Sequence, residues 1–173
     1  RLTMMRARSR TLSGVGAYSK LDLTISAGSA GQQVYGNLVS GNFFALLGLQ
    51  PALGRFFVPA EDSVPLTNPV IVVSHEFWQT RLGADSNVVG KPISVNGHPF
   101  TLIGVTPAGF RGVQVPIVTS AWAPLMMTSQ LRPKTTLANP AAAWLWQFGR
   151  MHEGVDRDAE RRDWVAQTAS HIT

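Results

Sequence analysis

Cysteine is absent from this 173-residue chain. That excludes a disulfide framework, a thiolate metal site and a cysteine nucleophile. It suits an oxidising compartment, where a free thiol is a liability, without fixing the compartment. Charge is also scarce, at 14% of residues against about 25% in an average soluble domain. The surface must therefore be built from Ser, Thr, Gln, Asn, Gly and backbone. No run approaches the roughly 20 apolar residues that span a bilayer; the longest, at 43–49, holds seven residues including a glycine. No signal-peptide pattern opens the chain. It begins on Arg1 rather than Met, as expected of a piece of something longer.

Acidic residues are the scarcer sign, ten against fifteen basic, for a net charge of +5. The excess is local. Arg1, Arg6, Arg8, Arg10 and Lys20 meet no acid within residues 1–20, and the remainder of the chain is balanced. A nucleic-acid binder spreads a basic stripe over a folded face, often with aromatics between the cations. A neutral body with one basic terminal segment argues against that partner.

What the chain does have is hydrophobic content of 45%, enough for a sizeable core and too much for disorder. Residues 1–18 are expected to form a short helix with Leu2, Met5 and Leu12 as apolar contacts, ended by Gly14 and Gly16. Leu21, Leu23 and Ile25 alternate with polar residues, which predicts a half-buried strand. Residues 28–31 read as a turn and 33–39 as a second strand. Asn42 is placed to cap a helix over 43–49 that ends near Gly48. A tight corner at 51–57 should bury two aromatics, and a Pro-rich loop follows at 59–69.

The β-branched run at 70–73 predicts a buried strand. Ser74 should cap a helix at 75–82, with Phe77, Trp78 and Leu82 at helical spacing and Gly83 as the stop. Asn96-Gly97 between 93–95 and 100–103 is the strongest hairpin signal in the chain. This hairpin and strand 70–73 should share a small sheet on which Trp78 packs. Residues 107–112 read as loop. Residues 122–125 read as an edge segment, because Pro124 cannot donate to a ladder. A strand is expected at 144–151 and a helix at about 157–171 with Val165, Ala169 and Ile172 inward. The alternation implies an α+β (mixed α/β) fold.

No constellation in this pattern specifies chemistry. The stretch from Gly83 to Lys91 has six residues between its glycines and a proline after the lysine, so it lacks the phosphate-loop spacing. Gly14 and Gly16 lack the third glycine of a dinucleotide fingerprint. His75, His98, His152 and His171 form no metal-ligand pair at helical or alternating spacing. No Gly-x-Ser-x-Gly elbow is present. Adjacent Glu61 and Asp62 fit turn formers and caps in a Pro-rich loop. Catalytic, cofactor-binding and metal residues are accordingly expected to be none, and the chain is expected not to be an enzyme.

Several segments do recur together in one family. They are Val39-Ser-Gly-Asn-Phe-Phe-Ala-Leu-Leu-Gly-Leu-Gln-Pro-Ala-Leu-Gly-Arg-Phe-Phe57, Glu61-Asp62, and Pro69-Val-Ile-Val-Val-Ser-His-Glu-Phe-Trp-Gln-Thr-Arg-Leu-Gly83. Next come Val89-Gly-Lys-Pro-Ile-Ser-Val-Asn-Gly-His-Pro-Phe-Thr-Leu-Ile-Gly-Val-Thr-Pro107 and Gly109-Phe110. Trp122-Ala-Pro-Leu125 and Phe148-Gly-Arg-Met-His-Glu-Gly-Val155 complete the set. In this order they resemble the periplasmic core domain of MacB/FtsX-type ABC transporter permeases, over most of residues 35–172. Loops 107–121 and 128–142 depart from MacB proper.

The resemblance implies one periplasmic core domain over 1–173, hung between two membrane helices of a bacterial inner-membrane permease. It implies a porter-like βαβ lobe of about 19–60 plus 143–173, with a β-rich lobe of about 66–135 inserted in it. The implied role is coupling of ATP-driven helix motion to export or to a partner, without catalysis. The implied partners are the flanking membrane helices, a separate cytoplasmic ATP-binding subunit or domain, and a second permease copy. No cofactor is implied. Two alternatives stand beside this one. A soluble extracytoplasmic ligand- or peptide-binding module predicts a concave apolar pocket. A hydrolase predicts a serine beside one of the histidines with a carboxylate behind.

Overall fold

A computed structural model describes residues 12–28, 30–133, 145–154, 156 and 158. The fold is mixed α/β, an eight-stranded mixed sheet with a few short helices. Its strands are β1 (Leu12–Ser26), β2 (Gln32–Val39), β3 (Leu53–Gly54), β4 (Val70–Val73), β5 (Pro92–Val95), β6 (His98–Val105), β7 (Ala121–Pro124) and β8 (Trp146–Met151). The helices are α1 (Phe43–Leu47), α2 (His75–Arg81) and α3 (Thr128–Leu131). The expected helix at 157–171 and residues 1–11 lie outside the described residues.

Pairing closes on itself. The hydrogen-bonded order β2-β7-β4-β6-β5-β1 is completed by a direct β1–β2 ladder, so six strands make a ring. β1 runs antiparallel to β2 from Tyr18↔Val39 to Ile25↔Gln32. On its other edge it meets β5 through Ile25↔Val95 and Ser26↔Ser94. The hairpin tip reinforces this short seam: Thr24 N donates to Asn96 Oδ1 at 2.7 Å, and Asn96 N donates to Thr24 O at 2.8 Å. Asn96 and Gly97 both have positive φ, 50° and 80°, as a tight hairpin turn of this kind requires.

Alternation sorts the side chains. Leu21, Leu23 and Ile25 of β1, Leu38 of β2, Ile71 and Val73 of β4, and Ala121 and Ala123 of β7 share one core cluster. Val39, Val72, Ile103 and Trp122 point the other way, into a second cluster with Phe43, Phe44 and Phe57. Ser74 Oγ accepts from Phe77 N at 3.1 Å, capping α2 as expected. Trp78 packs half-buried on the first cluster, its Nε1 donating to Asp85 O at 3.0 Å. The sheet beneath it is the whole eight-stranded one, not a small separate sheet.

Three local expectations are corrected. Residues 12–18, expected as helix, belong to β1 and pair with β8. Gly14 and Gly16 are not helix stops. A Cβ on Gly16 would lie 2.7 Å from Phe148 Cε1 and 2.8 Å from Leu46 Cδ1, so glycine makes room for β8 and α1 against the strand. Residues 121–124 are not an edge: β7 lies between β2 and β4 and is fully buried. Pro124 is tolerated because it is the last residue of the strand, beyond the β4 ladder. Asn42 does not cap α1 with its side chain. Its Nδ2 donates to Val15 O at 3.0 Å, and its Oδ1 accepts from Ser40 Oγ at 2.8 Å, tying the helix start to β1.

The second cluster is aromatic. Phe44 stacks on Phe56 with centroids 4.0 Å apart, meets Trp122 edge-on at 5.8 Å, and touches Phe57 at 5.7 Å. Phe43 meets Phe148 of β8 at 5.4 Å. Phe44→Ala should cost about 3–5 kcal/mol, and Trp78→Ala less, since Trp78 is only half-buried; urea unfolding checks both. Asn96→Ala should cost about 1–3 kcal/mol, because it loses the bond to Thr24 and keeps a positive φ. Asn96→Gly should cost less, since only the bond goes, and the same unfolding measurement separates the two.

Candidate functional site

The residues that could carry chemistry are dispersed. His75 opens α2 and meets Trp78 edge-on, with centroids 5.2 Å apart. His98 opens β6 opposite Val95. His152 is exposed after β8, and His171 lies outside the described residues. Among the described residues no group of three or more His, Cys, Asp or Glu could hold a metal ion. The stretch from Gly83 to Lys91 forms a turn and a one-turn 3-10 helix at Ser86–Val88 leading into β5. Asp85 holds that turn, accepting from Asn87 N at 2.8 Å.

Glu61 and Asp62 both act structurally. Glu61 is held bidentately by Arg55, at 2.9 and 2.7 Å, and accepts from Val58 N at 3.1 Å. The Arg55 guanidinium, with the Val58 amide, holds the Glu61 carboxyl below its ordinary range. Asp62 accepts from Gly41 N and Met126 N, each at 3.0 Å. It thus joins the loop before β4 to the segments that follow β2 and β7.

Two features remain with geometry a function can use. The first is the pairing of the first and last strands among the described residues. Leu12 at the start of β1 pairs with Met151 at the end of β8. β1 and β8 are therefore neighbours, and their ladder continues to Tyr18↔Trp146. From there β1 passes into the ring. The loop between β6 and β7 leaves the ring beyond Val105, the end of β6 that pairs with Val73. It is closed at its base by Thr119 N donating to Arg111 O at 2.9 Å. It is anchored by Phe110, stacked 5.4 Å from Trp122. Its tip residue Val115 is 96% exposed.

The second feature is a groove across the ring between the β1–β2 turn and α2. One part, of about 530 Å³, is lined by Ile25, Ala27, Gln32, Phe77, Arg81 and Leu82 among others. An adjoining part, of about 310 Å³, shares Ala27, Arg81 and Leu82 and continues along Lys91, Pro92 and Ile93. Sequence reasoning missed this groove. Its walls come from segments about 50 residues apart, so no local pattern announces it.

A family model for the MacB-like periplasmic core domain matches residues 2–158. The chain belongs to that family. It is an extracytoplasmic domain of a MacB-like ABC transporter permease. The periplasmic region of MacB from Actinobacillus actinomycetemcomitans shares its fold, with a TM-score of 0.70 at 14% identity over 98% of this chain and 72% of that one. A domain of a permease protein from Porphyromonas gingivalis gives 0.63 at 14% identity over 99% of this chain and 69% of that one. The extracellular domain of the noncanonical ABC-type transporter YknZ from Gram-positive bacteria gives 0.60 at 17% identity, over 75% of this chain and 63% of that one. Comparison with curated proteins returns no match. No helix among the described residues is long and apolar enough to cross a membrane.

The Arg55–Glu61 pair makes a pH prediction for this domain. Its stabilisation is present above the unfolded carboxyl value of about 4.3 and is lost as pH falls through the lower folded value. Arg55 is half-exposed, so the effect should stay below about 1 kcal/mol. Glu61→Gln should therefore be less stable than the parent at pH 7, and the gap should narrow progressively as pH falls below the ordinary carboxyl value of about 4.3. Melting temperatures measured across that range check it.

Proposed function

We propose that this domain transmits ATP-driven displacement of its permease's membrane helices to export or to a partner on the extracytoplasmic side. It does no catalysis of its own. The observation that carries the reading is the Leu12↔Met151 pairing, which sets the first and last strands among the described residues side by side. A domain hung between two helices needs that geometry, because movement of either helix then acts on the same ladder. β1 is well suited to carry the displacement onward. Its 15 residues span roughly 50 Å when extended. They pair in turn with β8, β2 and β5.

Family membership supports the rest of the assignment. A permease domain outside the cytoplasm works with helices in the membrane and an ATP-binding subunit or domain on the cytoplasmic side. A second permease copy is the natural further partner. Within the domain, the porter-like part of about 19–60 plus 143–173 would take up the helix motion, and the part at about 66–135 would present it outward.

The test uses the full permease with its ATPase in proteoliposomes. This domain has no cysteine of its own, so with cysteines elsewhere in the permease and its ATPase replaced, Val115→Cys on the 96% exposed loop tip is a single reporter. ATP should change the reporter's fluorescence in the parent. Flexible Gly/Ser inserts before Leu12 and after Met151 should abolish the change while ATP hydrolysis continues. An ATP response that survives both inserts would overturn the coupling reading.

A further inference from the structure

Two ladders of the six-strand ring hold only two residue pairs each, β4–β7 and β1–β5. They are not equally secured. Val72, Val73, Ala121 and Trp122 of the first are all fully buried. Ser74 N prolongs that ladder, donating to Ser120 O at 2.9 Å, and the aromatic cluster packs over its outer face. The β1–β5 ladder is half open on its outer face, where Ser26 and Ser94 are half-buried and Thr24 is exposed. The Thr24–Asn96 bonds that prolong it lie at the surface. On its inner side the groove beside α2 reaches it, with Ile25 lining the larger part and Ile93 the adjoining part.

The same seam is one of only two ladders that join β1 and β2 to β4–β7. The other, β2–β7, is the firm one. It has four pairs, and every residue in them is buried. Ser120 N donates to Tyr35 O at 2.8 Å beyond its end, and Thr119 Oγ1 donates to Asn37 Oδ1 at 3.2 Å. Asp62 clasps the segments that follow both strands. Proteins open locally where exposed hydrogen bonds and few apolar contacts hold a junction. We infer that the ring opens at the β1–β5 seam while its other ladders stay closed, with the β2–β7 ladder as the hinge. β4, β5, β6 and β7 then turn together away from β1. The opening is a property of the ring without nucleotide, so it stands or falls apart from the coupling reading.

Thiol labelling of the full permease, its other cysteines replaced and no nucleotide present, tests the inference. Val95→Cys and Ile25→Cys report on the seam, since these residues pair across it and are no more than 2% exposed. Val72→Cys, fully buried in the aromatic cluster on the other face, is the control. A methanethiosulfonate reagent should modify both seam variants at least tenfold faster than the control. Urea well below the unfolding midpoint should accelerate the control steeply and the seam variants little, because a local opening exposes little surface. Adding Asn96→Gly should raise the Val95→Cys rate about tenfold. Equal rates at seam and control, or the same urea dependence at both, would overturn the inference, since the ring would then open only by unfolding. So would a Val95→Cys rate that Asn96→Gly leaves unchanged. Fast labelling at Val95→Cys with slow labelling at Ile25→Cys would also overturn it, by moving the opening into the β5–β6 hairpin.

Discussion

Closure of the strand ring at β1 is the constraint on which the remaining structure depends. β1 has two edges and uses both. One carries the ladder to β2; the other meets β8 along its first half and β5 at its far end. The β5 seam is short, two residue pairs with the Asn96–Thr24 bonds beside them. Without it β1 would leave the ladder at Ser26 with one edge open, and Ile25 would face water from that side. With it, side chains from six strands converge on one interior, and the parity of every ring strand is set.

The outer face follows from that parity. Because Ala121 and Ala123 face inward, Trp122 must face outward, together with Val72 and Ile103. An outward tryptophan with no exposure needs a cover. α1, the corner at Phe56 and Phe57, and Phe110 of the β6–β7 loop supply it. The same aromatic cover then reaches Phe148 on β8 through Phe43. β8 is therefore packed against the same aromatic cluster that anchors the exposed β6–β7 loop.

Some of this was legible in the sequence because single segments carried it. Val70 to Val73, Ser74 with Phe77, and Asn96-Gly97 each bring local chemistry that admits one structure, and each adopts it. What failed was set by partners distant in sequence. Gly14 and Gly16 look like punctuation until Leu46 and Phe148 occupy the space above them. Pro124 looks like an edge marker until β2 and β4 flank the strand. Asn42 looks like a cap until Ser40 and Val15 claim its side chain. In each case a residue with a strong local meaning was used for a long-range contact. The family motifs were legible for the complementary reason: they are rich in the Gly, Pro and aromatic positions that such contacts hold fixed.

The same logic explains why the groove stayed hidden while the fold did not. A fold is recorded in residues that have few substitutes, such as Trp122 or Gly16. The groove walls are Ala27, Gln32, Arg81 and Lys91, ordinary surface residues whose types are unremarkable singly. Their meaning comes from the ring, which lays the β1–β2 turn beside the end of α2 and the start of β5.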